Sequence, residues 1–525
     1  MIMSKYLTYN GEYFIFKCSF YDKDIPKEAK FRWNPDKKEW WTNDLEKAKT
    51  LSQYADLFAN KEISKRDEIK QESLTKSRAT DSMLDIPSPE GLEYYPFQKA
   101  GIEYAINHPN VLIADEMGLG KTIQVLGLIN HQQIKDKILI ICPASLKHVW
   151  LNEANKWLIS DYNIQVINSK DKFDNEANII IINYDILNKF PQLSTIKWNL
   201  LVADECHKIK NHKTKRAAFV QRLQANRKAF LTGTPIVNRP IELYSIIAQL
   251  GFNMGFWDYA YQYCDAQNNG YGWDMSGASN LEDLQKKLRQ SLMIRRLKKD
   301  VLTELPDKVR QIIELPSNGL SEQIAKEKTV LRQFKDVKNY SDVSIAFEEI
   351  AKIRRETAIK KVPYIIDYIK EILKNTDKVV VFAHHKDVVN KIWIEFKDKA
   401  VKLTGDNTQS ERQKAVNEFQ NNNNIKIFIG SIQAAGVGLT LTAADTAIFV
   451  ELDWVPGNIT QAEDRIHRIG QTNSVLIQHI VVNESIDAKL AKTIIEKQKI
   501  IEQTLNKPII TKESIMKELI RGIKK

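Results

Sequence analysis

The stretch Val111-Leu-Ile-Ala-Asp-Glu-Met-Gly-Leu-Gly-Lys-Thr122 decides how this 525-residue chain is read. An apolar run, Val111–Ala114, leads into a glycine-containing loop, and an apolar helical pattern from Ile123 to His131 follows at once. Strand, loop and helix in that order bring backbone N–H groups and a helix N-terminus to one place, which favours an anion. Met117, Gly118, Leu119, Gly120, Lys121 and Thr122 are the expected phosphate cradle. In such a loop Lys121 reaches the β and γ phosphates and the Thr122 hydroxyl ligates Mg²⁺. The usual pattern G-x-x-x-x-G-K-T has Asp115 where its first glycine would stand, so the loop does not settle the matter alone.

A second segment does. Leu200-Leu-Val-Ala-Asp-Glu-Cys-His207 places an acidic pair at the end of a buried strand. Asp204 is suited to the Mg²⁺ shell, with Glu205 beside it to polarise an attacking water. A strand ending in a charged turn would account for one carboxylate. It would not account for a phosphate loop and an acid pair arriving in that order.

Outward from these segments the chain alternates between strand-like and helical patterns. Val111–Ala114, Ile138–Cys142, Ile179–Asn183, Leu200–Ala203 and Ala229–Leu231 form one series of apolar runs. Val379–Phe382, Ala400–Leu403, Ile427–Ile429, Ala447–Val450 and Leu476–Val482 form another. Continuous apolar character means that both faces are covered, as in a parallel sheet between helices. The expected fold is α/β, with two RecA-like parallel-sheet lobes, helical insertions and a small N-terminal α+β module. The expected division is a module over 1–60, a polar, partly helical linker over 61–90, and a first lobe over 91–310 with a helical insertion from about 240. A helical junction over 311–375 and a second lobe with C-terminal helices over 376–525 complete it.

Composition narrows the class. Hydrophobic residues make up 43% and charged residues 27%, ordinary for a folded chain. No apolar run reaches the roughly 18 residues that a bilayer span needs. The first ten residues lack the charged-then-apolar pattern of a secretory signal, so an intracellular protein without membrane contact is expected. Cytoplasm is the expected compartment in a bacterial or phage-infected cell, and the nucleus in a eukaryotic one. Cys18, Cys142, Cys206 and Cys264 are scattered, without the paired spacing of a zinc site or disulfide framework, and are expected reduced. The formal charge of +11 suits a polyanionic partner.

Several motifs now resemble one family. Asp204-Glu-Cys-His207 followed by Leu231-Thr-Gly-Thr-Pro235 resembles motifs II and III of superfamily-two helicases. Gly430-Ser-Ile-Gln-Ala-Ala-Gly-Val-Gly-Leu-Thr-Leu441 and Gln461-Ala-Glu-Asp-Arg-Ile-His-Arg-Ile-Gly-Gln471 follow, and the latter is similar to motif VI of the Swi/Snf type. Ile294-Arg-Arg-Leu-Lys-Lys-Asp-Val-Leu302, ahead of Leu305-Pro306, is similar to that family's junction motif. Tyr95-Pro-Phe-Gln-Lys-Ala-Gly101 resembles the segment whose glutamine reads adenine, here Gln98. The resemblance implies ATP and Mg²⁺ as cofactors, and Arg465 and Arg468 as a helical pair of guanidinium groups that reaches the γ-phosphate when the lobes close. It also implies coupling roles for His207, Thr232, Gly233, Thr234 and Gln461. The implied partner is duplex or forked DNA, read without regard to base sequence by a monomeric motor. Ser145, Lys147, Asn183, Tyr184, His384, His385, Thr404, Ser431, Gln433 and Trp454 are the candidate contacts, because polar loop tips suit phosphates. Trp454 stands in Asp-Trp-Val-Pro where the family commonly has Trp-Asn-Pro.

Two further regions are similar to the annealing-helicase (HepA-related, HARP) branch. One is Tyr263-Cys-Asp-Ala266 with Gly272-Trp-Asp-Met-Ser-Gly-Ala-Ser-Asn-Leu281, joined by Glu451-Leu-Asp-Trp-Val-Pro-Gly457. The other is N-terminal: Phe16–Phe20, Ile25–Trp33 and Lys37–Thr42, where tryptophans interleave with lysines as a base-stacking surface would. Trp33 and Trp40 are expected in the core of this module, with Trp41 and the lysines facing DNA. The implied function is a DNA-dependent ATPase that translocates on DNA and re-anneals or remodels strands. The competing readings are a strand-separating helicase, a remover of DNA-bound protein, and an ATP-gated clamp that does not move.

Overall fold

The computed structural model describes residues 5–233, 240–268, 270, 272–275, 277–317, 319–333, 340–435 and 438–492. Two parallel sheets organise it. The first has seven strands, in the order Met293–Ile294, Asn110–Ile113, Gln224–Leu231, Lys197–Ala203, Ile138–Cys142, Ile179–Asn183 and Ile164–Val166. The second has six, in the order Lys308–Leu315, Val475–Val482, Thr446–Phe449, Val379–Ala383, Ile427–Ser431 and Ala400–Leu403. Every pairing within both sheets is parallel.

The period-two alternation of side chains divides each sheet's apolar residues between two cores. In the first lobe Leu112, Leu139, Ile141, Ile180, Leu201 and Phe230 pack on one face. Their neighbours Val111, Ile113, Ile138, Ile140, Ile179 and Val202 pack on the other. The second lobe does the same, with Val380, Phe382, Phe428 and Phe449 opposite Val379, Val381, Ile427 and Ile448. Both faces of each sheet are therefore sealed by helices, and only the strand ends are left to carry polar chemistry.

Three strands were not evident as apolar runs. Met293–Ile294 spans two residues and completes an edge of the first sheet beside Leu112 and Ile113. Ile164–Val166 is half-buried at the opposite edge. Lys308–Leu315 alternates charged and apolar residues because it is the edge strand of the second sheet, beside Val475–Val482. The second sheet therefore begins before the stretch expected to be a helical junction.

The N-terminal module is a four-stranded antiparallel sheet, ordered Tyr6–Tyr9, Phe14–Lys17, Glu39–Thr42 and Arg32–Asn34. Its core is Leu7, Phe14, Phe16, Phe31, Leu45, Ala48, Leu51, Ala59 and Ile63. The expectation that Trp33 helps to form that core is overturned: its side chain is 48% exposed, tilted against Trp40 at a ring separation of 5.2 Å. The phenylalanines fill the core, and Trp40 only borders it.

The segment expected as a linker starts as the 20-residue helix Leu57–Lys76. Asp56 caps it by accepting from the Ala59 N–H at 2.8 Å. Ala59 and Ile63 belong to the module's core. At the far end Ser73 Oγ donates to the Arg289 carbonyl at 3.1 Å, and Arg289 donates to the Ser77 carbonyl at 2.9 Å. The helix thus joins module to lobe through buried contacts. All four cysteines are free thiols. Among the described residues, no helix is long and apolar enough to cross a membrane.

Candidate active site

The loop after Asn110–Ile113 ends on the helix Lys121–Gln132, whose N-cap is Gly120. Gly118 and Gly120 have φ of +86° and +70°, a left-handed backbone that suits glycine. Space demands it as well. A methyl group on Gly120 would clash with Nε2 of Gln98, and one on Gly118 would lie 3.3 Å from both Arg468 Cβ and Lys298 Cε. Lys121 Nζ spans the loop and donates to the carbonyls of Asp115 at 2.9 Å and Glu116 at 3.2 Å. Burial lowers the Lys121 pKa, while Glu205, Asp115 and Asp204 oppose that shift. Thr122 follows at the start of the helix, and Met117 lies against Gly233.

Asp115, the departure from the usual loop, is an anchor. Its buried carboxylate is gripped by Arg296 through the backbone N–H at 2.9 Å, Nε at 3.0 Å and a third bond from Nη2. Gln124 Nε2 adds a bond at 2.9 Å. Burial alone would raise this carboxyl, but the Arg296 guanidinium outweighs it and holds the pKa below the usual range.

Asp204 and Glu205 stand at the end of Lys197–Ala203, facing that loop. Asp204 Oδ2 accepts from Trp150 Nε1 at 2.9 Å and its Oδ1 from the Glu205 N–H at 2.9 Å. Burial, then the neighbouring Glu205 charge, pushes the Asp204 pKa up. Glu205 sits in the left-handed region at φ +49°, which turns its side chain out of strand geometry. Burial would raise its carboxyl too, but His207, Lys121 and Arg465 together hold it below the usual range. His207 Nδ1 lies 3.2 Å from Glu205 Oε2. Thr232 is buried, its N–H bonded to the Ile113 carbonyl at 3.2 Å, so the strand carrying it is tied to the start of the loop. Thr234 lies outside the described residues.

Arg465 and Arg468 arrive from the second lobe. The expectation that both lie on one helix is overturned: the helix Pro456–Glu463 carries Gln461 and ends before them. Successive turns carry both arginines, with Arg465 N–H bonded to the Ala462 carbonyl and Arg468 N–H to the Ile466 carbonyl. Arg468 Nη1 donates to the Leu439 carbonyl at 3.0 Å. Burial, then Arg468, lowers the Arg465 pKa to about 10. Both guanidinium groups are therefore held, partly buried, beside the loop carrying Gly118 and Gly120 and the acid pair.

The residues fit ATP and Mg²⁺. Buried Gln98 uses Oε1 to accept from the Tyr95 N–H at 3.0 Å, while its Nε2 has no partner among the described residues. An orphaned amide donor beside the loop suits a purine edge. The Thr122 hydroxyl and the Asp204 carboxylate are hard oxygen donors of the kind Mg²⁺ prefers.

The proposed DNA contacts separate into two groups. Ser145 from the first lobe and His384, Lys386, Arg412, Ser431 and Gln433 from the second line a cleft of ≈ 540 Å³. Gln409 Nε2 closes one end by donating to the Ser145 carbonyl at 2.8 Å. The other candidates face inward. Lys147 Nζ is spent on the Ile167 carbonyl at 2.8 Å and Asn168 Oδ1 at 2.6 Å. Tyr184 Oη donates to the Asp204 carbonyl at 2.8 Å, so it braces the acid pair instead. Asn183 and Thr404 are buried, the latter with its hydroxyl on Asn407 Oδ1 at 3.3 Å. Trp454 is buried beneath Arg354, whose guanidinium lies 4.4 Å from the ring centre. His385 is held by Glu451 Oε1 at 2.5 Å. Lys386, Arg412 and Trp150 were missed: Trp150 acts across 54 positions and carries no local signal.

Two parallel-sheet lobes meeting over a phosphate-type loop define a helicase-like protein. The SNF2-related domain family matches residues 41–374, and the helicase conserved C-terminal domain matches residues 360–470. The chain belongs to the SNF2-related family. Over 424 residues it is 37% identical to the SWI/SNF-related matrix-associated actin-dependent regulator of chromatin subfamily A-like protein 1 of Xenopus laevis, covering 78% of this chain and 44% of that protein. Over 455 residues it is 36% identical to DNA annealing helicase and endonuclease ZRANB3 of Homo sapiens, covering 81% of this chain and 42% of that protein. The chain thus spans under half the length of these two relatives. Among solved structures, the Sulfolobus solfataricus SWI2/SNF2 ATPase core in complex with dsDNA aligns at 24% identity and a TM-score of 0.41, covering 80% of this chain and 94% of that one.

Proposed function

We propose that this chain is a DNA-dependent ATPase that translocates on duplex or branched DNA and re-anneals or remodels its strands. The observation that carries the reading is the meeting of Arg465 and Arg468 from one lobe with the phosphate loop and acid pair of the other. ATP with Mg²⁺ supplies the phosphoryl bond whose cleavage drives the cycle. Lys121 and the helix N-terminus bind the phosphates, and Thr122 and Asp204 hold the metal shell. Gln98 orients the base. Glu205, kept ionised by His207 and its cationic neighbours, orients the attacking water. Arg465 and Arg468 complete the charge stabilisation only when the lobes are together, so turnover and lobe motion are linked.

Strand re-annealing is supported by the printed name of one relative and by the aromatic face of the N-terminal module. That module is assigned to branch recognition, and the cleft around Ser145, Ser431 and Gln433 to the DNA track. The test is a multiple-turnover ATPase assay with single-stranded, duplex and forked DNA, followed by rewinding and unwinding assays on one fork. Stimulation by duplex or forked DNA together with rewinding is expected. DNA binding without turnover would identify a clamp, and unwinding without rewinding a strand-separating helicase.

A further inference from the structure

The arginine pair needs something to hold it, and its own helix has ended before it begins. Its support comes from the segment between the lobes. Arg295 Nη1 donates to the Ala114 carbonyl at 2.8 Å, Arg296 grips Asp115, and the Lys298 N–H donates to Glu116 Oε2 at 2.7 Å. Three consecutive residues of the phosphate loop are thereby fixed by one short stretch. From there Lys298 crosses to the other lobe: its Nζ donates to Asp464 Oδ1 at 2.8 Å and to the His467 carbonyl at 2.7 Å. Asp464 precedes Arg465, and His467 precedes Arg468. A few residues on, Lys308 and Arg310 hold Glu463 at 3.1 and 2.7 Å, and His467 Nε2 lies 2.8 Å from the Pro306 carbonyl.

We propose that Lys298 is the positioning residue for both arginines, an ammonium that clamps the turns carrying them onto the phosphate loop. The proposal rests on the ATPase reading above. An ammonium has three N–H donors, and two of them here reach the residues just before the two arginines. Its backbone N–H is tied to the loop itself, so one residue sets the distance between loop and arginines. Lys298 is 5% exposed and Asp464 3%, so water screens the contact little. Opening the lobes breaks both side-chain bonds but leaves the backbone bond to Glu116, so Lys298 stays with the first lobe, ready for the next closure.

The experiment compares Lys298→Met, Asp464→Asn and their double variant in the full chain. It measures affinity for a non-hydrolysable ATP analogue, kcat and KM for ATP with saturating duplex DNA, and melting temperature. Misplacing a catalytic group by about 1 Å costs about a hundredfold, so each single variant is expected to lose kcat by about that factor. Analogue affinity should stay within about threefold, since phosphate binding lies with the first lobe. The double variant should be no worse than either single, and Lys298→Asp with Asp464→Lys should recover part of the loss. Unchanged kcat in Lys298→Met, or losses that multiply in the double variant, would overturn the proposal. So would lost analogue affinity with kcat retained, which would make Lys298 a phosphate ligand. If Lys298→Met does not fold, Asp464→Asn alone carries the same expectation. Glu205→Gln is run beside them. If it turns over at the parental rate, the ATPase reading fails; if it is inactive while Lys298→Met is normal, only this proposal fails.

Discussion

The two sides of the inter-lobe cleft differ in how they use polar groups. On the proposed nucleotide side the tightest ion pairs are deeply buried, Asp115 with Arg296 and Asp464 with Lys298, and Glu205 is paired with His207. On the proposed DNA side Lys386 and its partner Asp406 are both exposed, while Arg412 is fixed by the carbonyls of Asn407, Ala434 and Thr404. The difference follows from the ligands. Phosphoryl transfer fixes several atoms to fractions of an ångström, which fixes residue types and spacings in the chain. A phosphate backbone read without regard to sequence asks only for donors and positive charge along a path.

The sharpest way to break the comparison is at the arginines. Arg468→Ala is expected to lower DNA-stimulated kcat by about 10³-fold or more, the scale of an arginine that completes a phosphoryl-transfer site. DNA affinity should be nearly unchanged. An equal loss of DNA affinity would move Arg468 to the DNA side. Glu205→Gln should lower kcat by about 10²- to 10⁴-fold, because the water loses its base while ATP binding survives. Retained turnover there would remove the acid pair from the chemistry.

Asp115→Ala tests whether burial on the nucleotide side is structural as well as chemical. Removing one partner of a buried ion pair costs about 3–5 kcal/mol, here by stranding the Arg296 guanidinium. Chemical denaturation should show that loss, whereas a small change would mean that Arg296 finds another acceptor. On the DNA side the effects should be smaller. Lys386→Glu is expected to weaken duplex binding by about tenfold at low salt and to reduce the salt dependence by about one phosphate contact. ATPase rate at saturating DNA should stay near the parental value. An unchanged salt slope would take Lys386 off the track.

Legibility in the sequence follows the same division. The proposed phosphate loop, the acid pair and the arginine pair each lie in a contiguous motif, and the structure brings these three segments together. Their supports could not be read directly: Trp150, Arg296 and Lys298 act through folding contacts between distant positions. Several polar residues expected at loop tips as DNA contacts are instead used inside the fold, and nothing local in the sequence marks which. Lys147 and Tyr184 turn inward because backbone carbonyls at the ends of buried strands need donors. The strand Lys308–Leu315 escaped notice because an edge strand has one face half open and reads as a charged alternation. In the N-terminal module, counting tryptophans misled. The alternation of Phe14 and Phe16 around Ile15 with Phe31 already supplies a core, which leaves Trp33 outside.

That misplaced tryptophan gives the smallest expected effect and a direct test of the module. Trp33 lies across from Trp40 on neighbouring strands, and Arg32 is paired with Trp41 at the adjacent position, its guanidinium 5.6 Å from the ring centre. The alternation of side chains puts the half-open Trp33 indole and the Arg32–Trp41 pair on opposite faces of the small sheet, and it is the exposed indole that can stack on an unpaired base. Stacking contributes about 1–3 kcal/mol per base, and a half-covered ring should give the lower end, so Trp33→Ala is expected to reduce the fork-to-duplex ratio of ATPase rates roughly fivefold. The ATPase rate with plain duplex should be as before, because the lobes and their cleft are untouched. Melting temperature should hardly move, since the module's core is built from Leu7, Phe14, Phe16 and Phe31. A point variant is the right instrument here. Cutting the chain near residue 60 would sever the helix Leu57–Lys76, which fills the module's core at one end and meets Arg289 of the first lobe at the other. If Trp33→Ala lowers the melting temperature and all activities alike, the module is a brace for the first lobe. If the ratio falls at constant stability, the module reads branched DNA, and the motor gains its preference from a surface that contacts neither ATP nor the arginines.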